Sequence, residues 1–122
     1  MWRLPEWIGD TVSKPTALLQ GTLYLLILKI LDLEPRTGWA ISQRLRQMSN
    51  QILQVSHGSL YPALHKLELA GLIEAEWKTS DQGRRAKFYS LTRSGRRYLV
   101  DETDQWQRLS SAITRVLKLK EV

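Results

Sequence analysis

The 122-residue chain reads as a mainly α-helical protein with one small β-hairpin, and three observations predict that class. Apolar residues recur every three or four positions over 16–31, 39–48, 60–67 and 99–116, the spacing of a buried helix face. Between the third and fourth of these, Ile73-Glu74-Ala75-Glu76-Trp77-Lys78 alternates apolar and charged residues, and Lys87-Phe88-Tyr89-Ser90-Leu91 follows after a loop containing Gly83. Alternation of period two marks a half-buried strand. The formal charge of +6 is also concentrated: residues 78–97 hold seven basic residues and one acid, against seven of each sign in 1–77 and four of each in 98–122. A short helix followed by a basic hairpin is the layout of a winged helix-turn-helix, and charge gathered in this way is the footprint expected for a phosphate backbone.

Each element follows in order. Residues 1–15, bracketed by Pro5 and Pro15 and lacking a sustained period, are expected to form an N-terminal arm, docked by Trp2, Trp7 and Ile8. The first helix, 16–31, aligns Leu19, Leu23, Leu26, Ile27 and Ile30 on one face, while Leu25, Leu28 and Leu31 widen it into a helix central to the core. Pro35 and Gly38 punctuate the break after it. A second helix is expected from Gly38 or Trp39 to Met48, with Trp39, Ile41, Leu45 and Met48 as its apolar positions. The third starts at Ser56 or Ser59 and runs to about Ala70, with Leu60, Leu64 and Leu67 inward and Gly71 as its stop. Ser59 as N-cap puts Pro62 in the first turn, where its missing N–H costs little. Ser56 as N-cap puts it deeper, with a lost hydrogen bond and a bend. The hairpin strands span 73–78 and 87–91. Thr92 then caps a long terminal helix reaching about Leu119. The organisation predicted is an arm at 1–15, a DNA-binding winged helix-turn-helix domain at 16–91 and a C-terminal dimerisation helix at 92–122. Trp2, Trp7, Trp39 and Trp77 are assigned to packing.

Composition removes several function classes. The chain has no cysteine and only two histidines, His57 and His65, with no Asp/Glu cluster beside them, so neither a metal nor another cofactor is expected. Ser56 and Ser59 are near His57, but no acid is placed to orient the imidazole, and no enzyme is predicted. The apolar run 23–31 is nine residues long and contains Lys29, whereas a spanning helix needs roughly 20. With no recognisable leader peptide, a cytoplasmic location without membrane contact is expected.

The third helix and the hairpin supply the candidate DNA site. Ser56, Gly58 and Ser59 at the helix opening let hydroxyls and backbone N–H groups approach phosphate oxygens. Tyr61 and Lys66 suit the backbone, and His57 and His65 suit base edges. Arg84, Arg85 and Lys87 form the wing, able to enter a minor groove or clamp phosphates. An ordinary surface helix and a solvated hairpin tip would each carry such residues separately. It is their succession, together with the excess charge, that points to DNA.

The terminal helix carries a different pattern. Leu99, Trp106 and Ile113 recur every seven residues, with Leu109 and Val116 between them, an a/d seam of two heptads interrupted by Glu102. The seam either packs on its own domain or pairs with a second copy. Because the compact unit ends near Leu91, a helix this long projects beyond it, and a homodimer is predicted. Trp106, mid-seam, either packs tightly against its mate or leaves two flat faces for an aromatic ligand.

With these elements in place the chain resembles the PadR family of transcriptional regulators. Gly21-Thr22-Leu23-Tyr24 with Leu25-Leu26-Ile27-Leu28 looks like the opening of that family's first helix, and Gly38-Trp39-Ala40-Ile41 like the start of its second. Gly58-Ser59-Leu60-Tyr61-Pro62-Ala63-Leu64, then Leu67-Glu68, Gly71-Leu72-Ile73 and Trp77, resembles its most distinctive stretch. Arg84-Arg85-Ala86-Lys87-Phe88-Tyr89-Ser90-Leu91-Thr92 with Gly95 resembles its wing and last-helix entry. The resemblance covers about residues 19–97 and is closest to the short branch, with one helix after the wing. It implies a winged-helix fold, a homodimer built through the C-terminal helix, and repression at a palindromic double-stranded DNA operator. It further implies release by a small aromatic or cationic effector, with Trp106 placed comparably to a drug-stacking Trp of some relatives. Ala40 stands where the family usually has an acid, and the Trp-containing arm has no counterpart. The predicted function is a dimeric, ligand-released, sequence-specific repressor. Its rival is a winged-helix protein-interaction module, which the nearly neutral third helix leaves open.

Overall fold

The structure, a computed structural model, describes residues 15–120. Apart from Pro15, the expected N-terminal arm lies outside the described residues. Helix α1 (Pro15–Leu33) is followed by strand β1 (Arg36–Thr37), helix α2 (Gly38–Met48) and helix α3 (His57–Leu69). Strands β2 (Ile73–Thr79) and β3 (Arg85–Leu91) and the long helix α4 (Arg93–Leu117) complete the chain. The sheet is antiparallel in the order β1-β3-β2, with Ile73 opposite Leu91, Thr79 opposite Arg85 and Arg36 opposite Tyr89. This is a winged helix-turn-helix with a long C-terminal helix, mainly helical as predicted. Strand β1 was not foreseen, because two residues carry no periodicity.

The core forms where the predicted apolar faces converge on α1. Ile27 and Leu28 are fully buried, joined by Ile41 and Leu45 of α2, Leu60, Leu64 and Leu67 of α3, and Ile73, Tyr89 and Leu91 of the sheet. Each such side chain is worth roughly 2 kcal/mol of burial. Two residues assigned inward on α2 correct the prediction: Trp39 is 61% exposed and Met48 50%. Only Ile41 and Leu45 of that helix point at α1, and Trp39 sits in its first turn, beyond the core's edge. In the turn between α2 and α3, Asn50 and Gln51 both adopt positive φ, at 53° and 71°. The Ser49 hydroxyl accepts the Leu53 N–H there at 2.9 Å.

Capping settles the α3 start. Ser56 is the N-cap, its hydroxyl accepting the Ser59 N–H at 3.2 Å, so Pro62 lies inside the helix and cannot donate to the Gly58 carbonyl. Thr92 caps α4 as expected. Its hydroxyl accepts from Gly95 N at 3.0 Å and donates to the Gly71 carbonyl at 2.7 Å, while its N–H donates to the Leu72 carbonyl at 3.1 Å. The start of α4 is thereby bonded to the turn that ends α3.

Burial of Tyr89 raises its phenol above the ordinary value of 10.0, with nearby Lys87 pulling the other way. The unfolded chain therefore loses this proton first, and stability should be retained below about pH 10 and decline as pH rises through the folded value. Urea midpoints taken near neutrality and above about pH 10 should fall less in Tyr89→Phe than in the parent. Equal declines would assign the alkaline loss to other groups.

Candidate nucleic-acid interface

Helix α3 turns Leu60, Ala63, Leu64 and Leu67 inward, which leaves His57, Tyr61, His65 and Lys66 exposed. His57, Tyr61 and His65 follow at steps of four and share a face. The Tyr61 ring meets His57 edge-on, with centroids 5.6 Å apart and planes at 85°. It also lies over Gly38 at the start of α2, where a Cβ would stand 2.8 Å from the ring. The glycine is what lets Tyr61 join the two helices of the helix-turn-helix. Ser56 donates to the Ser59 hydroxyl at 3.2 Å, so both serines are engaged in starting the helix, Ser56 exposed and Ser59 half-buried.

The hairpin reverses at Ser80–Arg84, where Ser80 N–H donates to the Arg84 carbonyl at 2.7 Å and Gly83 N–H to the Ser80 carbonyl at 2.9 Å. Gly83 has φ +77°, a conformation open to glycine without steric cost. Arg84 and Arg85 are exposed, and Lys87 reaches Glu68 of α3 at 3.5 Å. Three hairpin cations stand over rings of the same hairpin: Lys78 4.7 Å from the Phe88 centroid, Arg85 5.9 Å from Trp77, and Lys87 5.3 Å from Tyr89. Tyr61, Arg84, Arg85 and Lys87 line one open groove between the helix-turn-helix and the wing, together with Trp39 and Trp77. His57 reaches the groove only through Tyr61. His65 and Lys66 lie further along α3, outside it.

Trp77, expected to pack, is instead 56% exposed. Burial along β2 stops after Ala75, as the strand leaves the core for the wing. Trp39 and Trp77 are the groove residues that sequence reasoning missed. The signal available was the family of cations flanking Trp77, not the alternation, which continues unchanged past the core's edge. Arg36 of β1 also lines the groove, held 2.9 Å from Glu34. At the base of the wing, Arg93 and Arg97 are exposed and Arg96 lies 3.7 Å from Asp32, extending the positive surface onto α4.

On α4, Leu99 departs from the predicted seam. It is 6% exposed and belongs to the core of its own chain, because the first turns of α4 still pack on α1. Beyond it, Trp106, Leu109, Ile113 and Val116 are all exposed and form a stripe at spacings of three and four that no described residue covers. Among the described residues, no group of His, Asp and Glu is arranged to hold a metal ion. No described helix is long and apolar enough to cross a membrane.

Comparison with known proteins bears on this geometry directly. A transcriptional regulator of Mycobacterium tuberculosis is 34% identical over 68 residues, which is 56% of this chain and 63% of that protein. The crystal structure of a PadR-like transcriptional regulator from Bacillus cereus superposes with a TM-score of 0.75 at 30% identity, covering 84% of this chain and 98% of that one. A PadR family regulator from Eggerthella lenta gives 0.74 at 29% identity over 95% and 100% of the two chains. Residues 27–101, from the middle of α1 to the early turns of α4, match the model of the transcriptional regulator PadR-like family, and the chain belongs to that family.

Proposed function

We propose that the protein is a sequence-specific, homodimeric DNA-binding repressor acting in the cytoplasm on a palindromic operator. One observation carries the reading: the exposed face of α3, through Tyr61, and the cationic wing border a single groove. Helix α3 enters the major groove, with His57 and His65 at base edges and Ser56, Ser59, Tyr61 and Lys66 at backbone. Arg84, Arg85 and Lys87 hold the flanking phosphates. Residues 92–122 serve as the dimerisation helix through Trp106, Leu109, Ile113 and Val116, and a small aromatic or cationic effector at that seam releases DNA by altering the spacing of the two α3 helices. Family membership and the confinement of the excess charge to residues 78–97 support this reading.

Fluorescence anisotropy on DNA from upstream of the protein's own gene, against scrambled DNA across a salt series, tests it. The upstream fragment should be preferred by about 10³ or more. Arg84→Ala should weaken binding to all sequences alike and lower the salt slope by about one unit per wing. Weak and equal binding to both fragments, beside a tight complex with a protein, would favour an interaction module instead.

A further inference from the structure

Of the three aromatic rings that carry cations on the hairpin, two have a structural reason to be where they are. Tyr89 is buried in the core, and Phe88 is half-buried opposite Thr37 of β1. Trp77 has no such reason. It is 56% exposed, and its place on β2 opposite Lys87 and diagonal to Arg85 sets it on the sheet face that continues outward from Ile73 and Ala75. Aromatic and long side chains diagonal to one another across a strand pair remain in contact reach. The cation it meets also differs from its neighbour. Lys87 is held by Glu68 at 3.5 Å, whereas among the described residues Arg85 has no ion pair and its guanidinium lies 5.9 Å from the Trp77 ring centre.

We infer that Trp77 is a positioning residue for DNA binding, its ring holding the Arg85 guanidinium over the groove beside α3 so that it meets a phosphate already oriented. A guanidinium within about 6 Å of an indole's centre is attracted to the ring face while its N–H fork stays free for phosphate oxygens. An exposed arginine without such a support loses its rotamer freedom only when DNA arrives, and affinity falls accordingly. Trp77 carries no charge, so its removal leaves the number of neutralised phosphates unchanged. Affinity and salt dependence therefore separate: Trp77 sets the first, and Arg85 sets both. The inference rests on the DNA-binding reading above.

The test compares the parent protein with Trp77→Leu, Trp77→Phe, Arg85→Ala and the Trp77→Leu/Arg85→Ala double variant, by anisotropy on a labelled duplex from upstream of the gene over a salt series. Trp77→Leu should weaken binding about threefold per wing at an unchanged salt slope, and Trp77→Phe should recover part of the loss. Arg85→Ala should lower the slope by about one unit per wing. In the Arg85→Ala background, Trp77→Leu should have no further effect, a coupling that a purely structural role cannot produce. An equal loss in both backgrounds, or a changed slope in Trp77→Leu, overturns the positioning role while leaving DNA binding intact. Failure of the parent protein to bind the duplex at any salt overturns the DNA-binding reading and the role of Trp77 with it.

Discussion

Replacing Gly95 by alanine is expected to destabilise the fold by about 3 kcal/mol, although alanine is normally the better helix former. Gly95 lies in the first turn of α4, where Thr92 bonds the helix to the turn after α3. A Cβ at this position would run into the Leu72 carbonyl oxygen and stand 2.7 Å from Leu91 Cδ1. The leucine side chain can yield. The carbonyl cannot, because the Thr92 N–H holds it at 3.1 Å and the backbone around it is part of the α3–β2 turn. Gly21 on α1 supplies the control, since among the described residues nothing lies within 4 Å of a Cβ there. Gly21→Ala should therefore stabilise by about 0.8 kcal/mol through helix propensity alone. Urea midpoints of the two variants should move in opposite directions from the parent, and a stabilised Gly95→Ala would mean that α4 is not seated against Leu72.

Ile113→Glu should disrupt self-association. Past Leu99, no core among the described residues covers Trp106, Leu109, Ile113 and Val116, which are between 47% and 69% exposed. An apolar stripe of this kind on a lone helix is stabilised by packing against a partner rather than by propensity. In a homodimer built on the stripe, glutamate at 113 buries a carboxylate in an apolar seam. A penalty of about 4 kcal/mol corresponds to roughly 10³ in the dimer dissociation constant. Glutamate keeps good helix propensity, so loss of the dimer would not reflect a broken helix. Sedimentation equilibrium should show monomer where the parent is dimeric, and operator affinity should fall with it, because each half-site then binds alone. Unchanged sedimentation would remove this stripe from the interface.

Helices α1 and α3 were legible because each buries a continuous face: the three- and four-residue spacing of Leu23, Ile27 and Ile30 translates directly into burial. The α4 cap was legible because Thr92 and Gly95 sit at the cap and third helical positions. Periodicity, however, says which residues share a face and not how far the core extends along it. Hence Trp39 and Trp77 fall on the right faces but beyond the core's edge, and Leu99 falls on the seam's spacing but inside its own domain. The choice between Ser56 and Ser59 as the α3 cap depends on where the connecting turn delivers the chain. Asn50 and Gln51 at positive φ are not residues that announce such a turn. In the candidate site, the charge of the wing was visible residue by residue. The groove was not, since it is made by Gly38 admitting the Tyr61 ring and by β1 closing beside β3.

The concentration of excess charge in residues 78–97 also has a kinetic consequence. With the remainder of the chain balanced, the far field of the molecule is that of a single cationic end. A polyanion within a Debye length or so, about 10 Å at 0.1 M salt, exerts a torque before any contact is made and turns the wing toward it. In the proposed DNA complex, encounters would then begin hairpin-first, with α3 delivered to the duplex by rotation about the wing. The arrival rate of this protein on DNA should accordingly depend on salt more steeply than its departure from any one base sequence.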